Sequence, residues 1–333
     1  MIGTANQGFA QYALEEIRRL FPDLKFQYLE SGEIFRFKTA TPREDLLRRL
    51  QENEPIFLRH IQPVDQEFAI ARTLQDLTAV QALASAESRF QKGEKVAIQV
   101  RKQSGVDFAY TPAQLKEALN MEQFGVASVN READWILSIY LSAEKLYWGI
   151  SRPAANLSDW SGGAVRFQKE AAQISRAKFK LLEAESAFAI DFRQFQNALD
   201  IGAAPGGWTE FLLERGLRVT AVDPGKLDAT LLKNPRLTYL PRNAENIDFP
   251  PQSFDLLVCD MNGSPNQTAR LIAKLLPMLK VGGTLLLTIK LMHKKPFQTV
   301  KETLTTLGNR VVLVRAKQLF HNREELTLYL KVN

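Results

Sequence analysis

Apolar positions along the 333-residue chain keep three different rhythms. In residues 1–65 they recur three and four apart from 9 to 20 and alternate with polar ones from 26 to 37 around a Ser-Gly-Glu turn. A second amphipathic stretch follows, opened by Thr-Pro-Arg-Glu-Asp at 41–45, and then a short extended run at 56–61. That order of periods predicts a small α+β unit. Residues 66–155 predict a second one: a helix near 74–84, a strand at 95–100, a helix capped at Thr111, and two strands at 134–141 and 145–151. Residues 152–163, RPAANLSDWSGG, lack periodicity and are expected to be a linker or surface loop.

From 160 to 333 helices and strands take turns. Helix-type spacing covers 174–188, 208–216, 268–280 and 297–308, and strand-type runs cover 198–202, 218–223, 237–241, 254–260, 283–290, 310–316 and 325–332. Such alternation predicts an α/β layer architecture, a parallel sheet covered on both faces. The last two strands have no helix between them and must be antiparallel neighbours, so a seven-stranded sheet ending in one reversed strand is expected.

Composition narrows the class. No apolar run approaches the roughly 18 residues of a membrane span, and the N-terminus lacks the charged start and long apolar run of a secretory signal. A single cysteine, Cys259, excludes an internal disulfide framework, which makes cytoplasm the expected address. The net charge of +6 is unevenly placed: residues 156–333 hold 24 Lys+Arg against 17 Asp+Glu, whereas the first 155 are balanced. A polyanionic partner and an ordinary solvated surface both fit such an excess. Arg166, Lys169, Arg176 and Lys178 before the predicted sheet, with Arg310, Arg315, Lys317 and Arg323 after it, are the expected phosphate track. His293, Lys294 and Lys295 form a further basic loop, a candidate phosphate clamp, and the scattered His60, His293 and His321 give no metal-ligand spacing.

The stretch LDIGAAPGGW, 199–208, ends an apolar strand in a cluster of small residues: Gly202, Ala203, Ala204, Pro205, Gly206 and Gly207. At the first strand-to-helix turn of a doubly wound sheet, such residues let a ligand approach bare backbone near a helix N-terminus. The spacing Gly202-x-Ala204-x-x-Gly207 imitates a dinucleotide fingerprint, but the replaced middle glycine and the stiffening Pro205 disfavour a pyrophosphate, and with it a dehydrogenase. A nucleoside without phosphates fits better. Asp223 ends the next strand, 21 residues after Gly202, where a carboxylate accepts both hydroxyls of a ribose. S-adenosylmethionine supplies such a ribose.

Asp260 and Lys290 end two apolar strands and reach the same sheet edge. Glu325 begins the reversed strand, whose leucines 326, 328 and 330 share the opposite face, so it too lies at that edge. Lys180, on the helix before the first strand, is the fourth member. A lysine crowded by another cation and partly desolvated has a lowered pKa and takes a proton from a weakly acidic hydroxyl. Carboxylates beside it orient the ammonium groups. Held in line with a methyl sulfonium, a sugar hydroxyl would become a ribose 2'-O-methyl group.

SRAKFKLLEA, LDIGAAPGGW, VCDM, TIK and NREELTLYL, in that order, resemble the FtsJ-type ribose 2'-O-methyltransferases, and RAKQLFHNREELTLYL is especially similar to the end of the RlmM family of ribosomal RNA methyltransferases. The resemblance implies a Rossmann-like, S-adenosylmethionine-dependent domain at 160–333, preceded by a ferredoxin-like domain at 1–65 and a THUMP-like RNA-binding domain at 66–155. It implies Lys180, Asp260, Lys290 and Glu325 as catalytic tetrad, with Lys290 the base. It places the cofactor on Gly202, Ala204, Pro205, Gly206, Gly207, Trp208, Asp223, Asn243, Ala244 and Asp260. The implied partner is RNA, 23S ribosomal RNA methylated on a cytidine 2'-oxygen, with no membrane or DNA; the oligomeric state is not encoded. Relatives carry an acid at the place of Ala244, for which Asn243 or Glu245 are substitutes, and Asp260-Met261-Asn262-Gly263 replaces their Asp-Met-Ala-Pro-Asn. Three rivals remain: a noncatalytic RNA binder, a tRNA 2'-O-methyltransferase, and a base methyltransferase. The last lacks an Asn/Asp-Pro-Pro-Tyr loop, and Cys259, inside an apolar strand, reads as packing rather than as a nucleophile.

Overall fold

A computed structural model describes residues 1–168, 173–291 and 295–333. The chain divides into two compact units, Met1–Ala164 and Val165–Asn333.

The first unit holds two sheets. β1 (Ile2–Thr4), α1 (Ala10–Leu20), β2 (Lys25–Glu30), β3 (Ile34–Lys38), α2 (Arg43–Glu52) and β4 (His60–Gln62) follow in a βαββαβ succession, and the antiparallel strands lie in the order β2-β3-β1-β4. The last strand starts later than the 56–61 run suggests, because the amides of Ile56 and Phe57 donate to the Glu16 carboxylate at 2.7 and 2.9 Å instead of to a strand. The second sheet, ordered β5-β9-β8-β6-β7, comprises β5 (Gln66–Ala69), β6 (Lys95–Lys102), β7 (Ala127–Val129), β8 (Trp135–Leu141) and β9 (Lys145–Ser151), with α3 (Gln75–Ser85) and α4 (Pro112–Leu119). Thr111 caps α4 as expected, exchanging side-chain and backbone bonds with Gln114.

Residues 152–163 are not a free linker. Asn156 is wholly buried and accepts from Ser151 Oγ at 2.6 Å, and the buried Arg59 donates from Nε to Gly162 O at 2.9 Å. Asn156 Oδ1 and Gly162 O find partners inside the first unit, so the segment's polar composition does not mark exposure.

In the second unit, α5 (Lys178–Ala187), β10 (Asn197–Ile201), α6 (Gly207–Glu214), β11 (Arg218–Val222), β12 (Leu237–Leu240), β13 (Phe254–Cys259), α7 (Pro265–Leu275), β14 (Leu279–Lys290), α8 (Pro296–Leu307), β15 (Val311–Lys317) and β16 (Glu325–Val332) build a seven-stranded sheet ordered β12-β11-β10-β13-β14-β16-β15. β10 to β14 run parallel where they pair, and β16 is antiparallel to both of its neighbours. The reversed strand is therefore inserted between β14 and β15 rather than placed at the margin.

Register decides which side chains share a face. Ile201, Cys259, Leu287 and Leu328 stand side by side across four strands, one wholly buried row of the core. The alternate row holds Asp200, Val258, Leu286 and Tyr329, and a cluster including Leu181, Ala184, Phe211 and Leu212 of α5 and α6 packs on that side. By the same two-residue period, Asp260, Lys290 and Glu325 leave their strands toward the face that α5 covers.

Candidate active site

Lys180, on the first turn of α5, closes this arrangement. Its Nζ donates to both oxygens of Asp260, at 2.9 and 3.0 Å, and to the carboxylate of Glu325. The three side chains are 15–17% exposed, dry enough for Coulomb forces to act and wet enough to be reached. Burial pushes the Lys180 pKa down, but the attraction of Asp260 and Glu325 outweighs it, and the net shift is upward. Lys180 is thus a fixed cation, unsuited to release its proton. Lys290 pairs in register with Glu325 across β14 and β16, yet its side chain is exposed, and no carboxylate among the described residues forms an ion pair with it. The partial desolvation expected for this lysine is absent, because it is the last residue of its strand and projects past the packed layer.

All four residues line one cavity of about 760 Å³, together with Gly202, Ala203, Ala204, Pro205, Gly207, Trp208, Ser175, Ala177, Asn262, Leu291, Arg323 and Glu324. Ser175, Ala177 and Glu324 lie inside the quoted motifs, Asn262 in the Asp260–Gly263 departure and Leu291 just after TIK, yet none of the five carries a role in the sequence reading.

The glycines of the turn answer first to the chain itself. Gly202 has φ +78°, and a Cβ there would come within 2.6 Å of Met261 Cγ; Gly206 has φ +122° and would meet Leu231 at 2.3 Å. Both positions need glycine whether or not a ligand is bound. The turn is held from outside by Asp223, whose carboxylate accepts the Ala204 amide at 3.1 Å and the Gly225 amide at 2.6 Å. Trp208 is buried and its indole N–H donates to Ala177 O at 2.9 Å, so it ties α6 to α5 while one edge borders the cavity. Gly206, Asp223, Asn243 and Ala244 do not line this cavity; Asn243 caps the Glu245 amide at 3.0 Å and Ala244 is buried.

One buried group went unremarked in the sequence. Asp200 is 1% exposed and accepts a 2.6 Å bond from Thr209 Oγ1. Desolvation, aided by the charges of Asp260 and Asp223, pushes its pKa up to about 7. Cys259 is wholly buried, and desolvation pushes its thiol up to about 12, which leaves no thiolate for nucleophilic work.

Much of the expected phosphate track is engaged internally. Lys178 is buried against Glu214 at 2.7 Å, Arg310 donates to the carbonyls of Ala273 and Leu307, Arg315 donates to Ala187 O, and Lys317 is buried. Their long stems pack and their charges find local acceptors. Arg166, Arg176 and Arg323 are exposed, as is Lys295; Lys169, His293 and Lys294 lie outside the described residues.

Residues 173–323 match the FtsJ-like methyltransferase family. The ribosomal RNA large subunit methyltransferase M of Azoarcus sp. (strain BH72) is 30% identical over 222 residues, covering 63% of this chain and 60% of that protein. Its namesake from Alkalilimnicola ehrlichii is 37% identical over 218 residues, covering 62% and 59%. The matched stretch thus spans about three fifths of these curated relatives. Among solved structures, TrmN from Thermus thermophilus covers 100% of this chain and 99% of its own at 16% identity and a TM-score of 0.42, too loose a likeness to carry weight.

Proposed function

We infer that this chain, whose residues 173–323 form an FtsJ-like methyltransferase domain, methylates the ribose 2'-hydroxyl of an RNA with S-adenosylmethionine as donor. Large-subunit ribosomal RNA is the substrate class that the names of its relatives suggest. The observation that carries the reading is the single cavity in which Lys180 bridges Asp260 and Glu325 while Lys290 stands exposed beside them. A noncatalytic RNA binder has no use for two carboxylates locked on one ammonium.

The residues present fit the donor. A carboxylate has about four acceptor positions, and Asp223 spends one on the Ala204 amide of the turn and one on the Gly225 amide of its own loop, so two remain for ribose hydroxyls. The Gly202 to Gly207 turn and Asp260 form the cavity wall on which it would rest. Bound there, the donor supplies an electrophilic methyl on a sulfonium. Lys180 fixes the two carboxylates and offsets their charge. Lys290 Nζ is the group placed to take the proton from the 2'-hydroxyl and leave the oxygen as nucleophile. Much of the acceleration comes from holding the hydroxyl near Lys290 and the methyl.

We assign RNA contact also to the first unit, with residues 1–65 ferredoxin-like and 66–155 THUMP-like, and we place the protein in the cytoplasm. The test is transfer of labelled methyl from S-adenosylmethionine to unmodified cellular RNA, followed by nuclease digestion and mass spectrometry. The expected label lies on a 2'-oxygen of large-subunit RNA, and Lys290→Ala abolishes transfer while cofactor and RNA still bind. Full turnover in that variant overturns the base assignment; label on a base overturns the reaction; label in tRNA redirects the substrate.

A further inference from the structure

We propose that Arg323 grips a phosphate of the substrate strand, an assignment that rests on the RNA methyl-transfer reading above. The 2'-hydroxyl of a ribose within RNA is vicinal to a 3'-phosphodiester, so an anion enters the cavity with every acceptor. Among the described residues, three cations line that cavity: Lys180, Lys290 and Arg323. Lys180 is already matched by two carboxylates, and Lys290 is committed to the hydroxyl proton. Arg323 is exposed, and no carboxylate among the described residues forms an ion pair with it. Its planar guanidinium fork suits a phosphate in a bidentate grip.

A second observation separates Arg323 from an ordinary surface arginine, namely the rigidity of the loop that presents it. Glu183, one turn beyond Lys180 on α5 and 4% exposed, accepts the amides of Phe320 and His321 at 2.7 and 3.0 Å. Asn322, 1% exposed, accepts from the Leu319 amide at 2.9 Å and from Thr327 Oγ1 at 3.2 Å. Gln318 Nε2 donates to the carbonyl of Arg323 itself at 2.8 Å, and the Leu291 amide donates to Glu324 O, also at 2.8 Å. A loop pinned at five of its backbone groups, by side chains from α5 and from itself and by the end of β14, holds Arg323 at a fixed offset from Lys180 and Lys290. Such pre-organisation is what positioning a phosphate beside a reacting hydroxyl requires.

The experiment compares wild type with Arg323→Gln and Arg323→Lys in the full chain, on one RNA that the wild type methylates. A lost charge-assisted bond predicts an RNA KM raised about tenfold in Arg323→Gln, with kcat far less affected and cofactor affinity unchanged. In direct RNA-binding titrations the slope of log affinity against log salt falls by about 0.7 for one single-strand phosphate. Arg323→Lys restores the salt slope, because the charge is kept, but recovers only part of the affinity. An Arg323→Gln protein with the wild-type KM and salt slope refutes the proposal, as does one that loses cofactor binding and thermal stability along with RNA. Should the wild type transfer no methyl to any RNA, the reaction reading falls, and the salt slope still decides whether Arg323 meets a phosphate.

Discussion

Replacing Asp200 by Asn should stabilise the second unit, and increasingly so as pH rises. The carboxyl is 1% exposed and its pKa is pushed up to about 7 by desolvation and by neighbouring Asp260 and Asp223, against roughly 3.9 in an unfolded chain. A carboxyl whose folded pKa is raised weakens the fold at every pH above its unfolded pKa, because ionisation there favours the unfolded chain. The penalty is negligible below about pH 4, grows through the interval to pH 7 and is constant above it. Linkage puts it at about 1.5 kcal/mol at pH 5 and about 4 kcal/mol at pH 8. Asn keeps an oxygen for the 2.6 Å bond from Thr209 and matches the shape, so the core need not repack. The assay is denaturant unfolding of wild type and variant at pH 5 and pH 8, followed by Trp208 fluorescence in a Trp-retaining background where Trp135, Trp148 and Trp160 are Phe. The stability gap should widen by roughly 2.5 kcal/mol between the two pH values. A gap independent of pH, or an Asn variant weaker than wild type at pH 8, would show that Asp200 is ionised and satisfied in the fold and that the reasoning is wrong.

Other outcomes follow from the same contacts. Lys180→Met leaves Asp260 and Glu325 facing each other without a cation, so it should abolish methyl transfer and cost about 3 kcal/mol in the same unfolding assay; retained activity would remove Lys180 from the site. Asp223→Asn loses an acceptor at the turn and should raise the S-adenosylmethionine Kd at least about tenfold by calorimetry, with RNA affinity intact. Cys259→Ala should turn over normally, and the native thiol should resist iodoacetamide until the protein unfolds; rapid labelling of the folded chain would contradict its burial.

The strands of the second unit were legible because they are apolar on both faces and their ends are polar. Parity then sufficed to place Asp260, Lys290 and Glu325 at one edge, and the helical spacing of SRAKFKLLEA placed Lys180 on a helix whose partner face only packing could decide. The insertion of β16 between β14 and β15 was invisible, because a strand's neighbours are chosen by long-range pairing and leave no local mark. β5 and β7 have four and three residues, too few to show a period. The basic residues misled for another reason: a charge count does not tell a lysine facing water from Lys178, buried on Glu214. Asp200 escaped notice because an acid inside an apolar strand next to a glycine turn reads as part of the turn's signature rather than as a group with its own titration.

The inserted strand also ties the closing of a sheet edge to the completion of the site. Until residues 325–332 dock, the outer edge of β14 offers a row of unpaired backbone groups to any passing strand. The docking that shields this edge is the same step that brings Glu325 onto Lys180. Shielding of the β14 edge and completion of the charge triad are therefore one structural event, and a chain that has not finished its sheet has no third member for that triad.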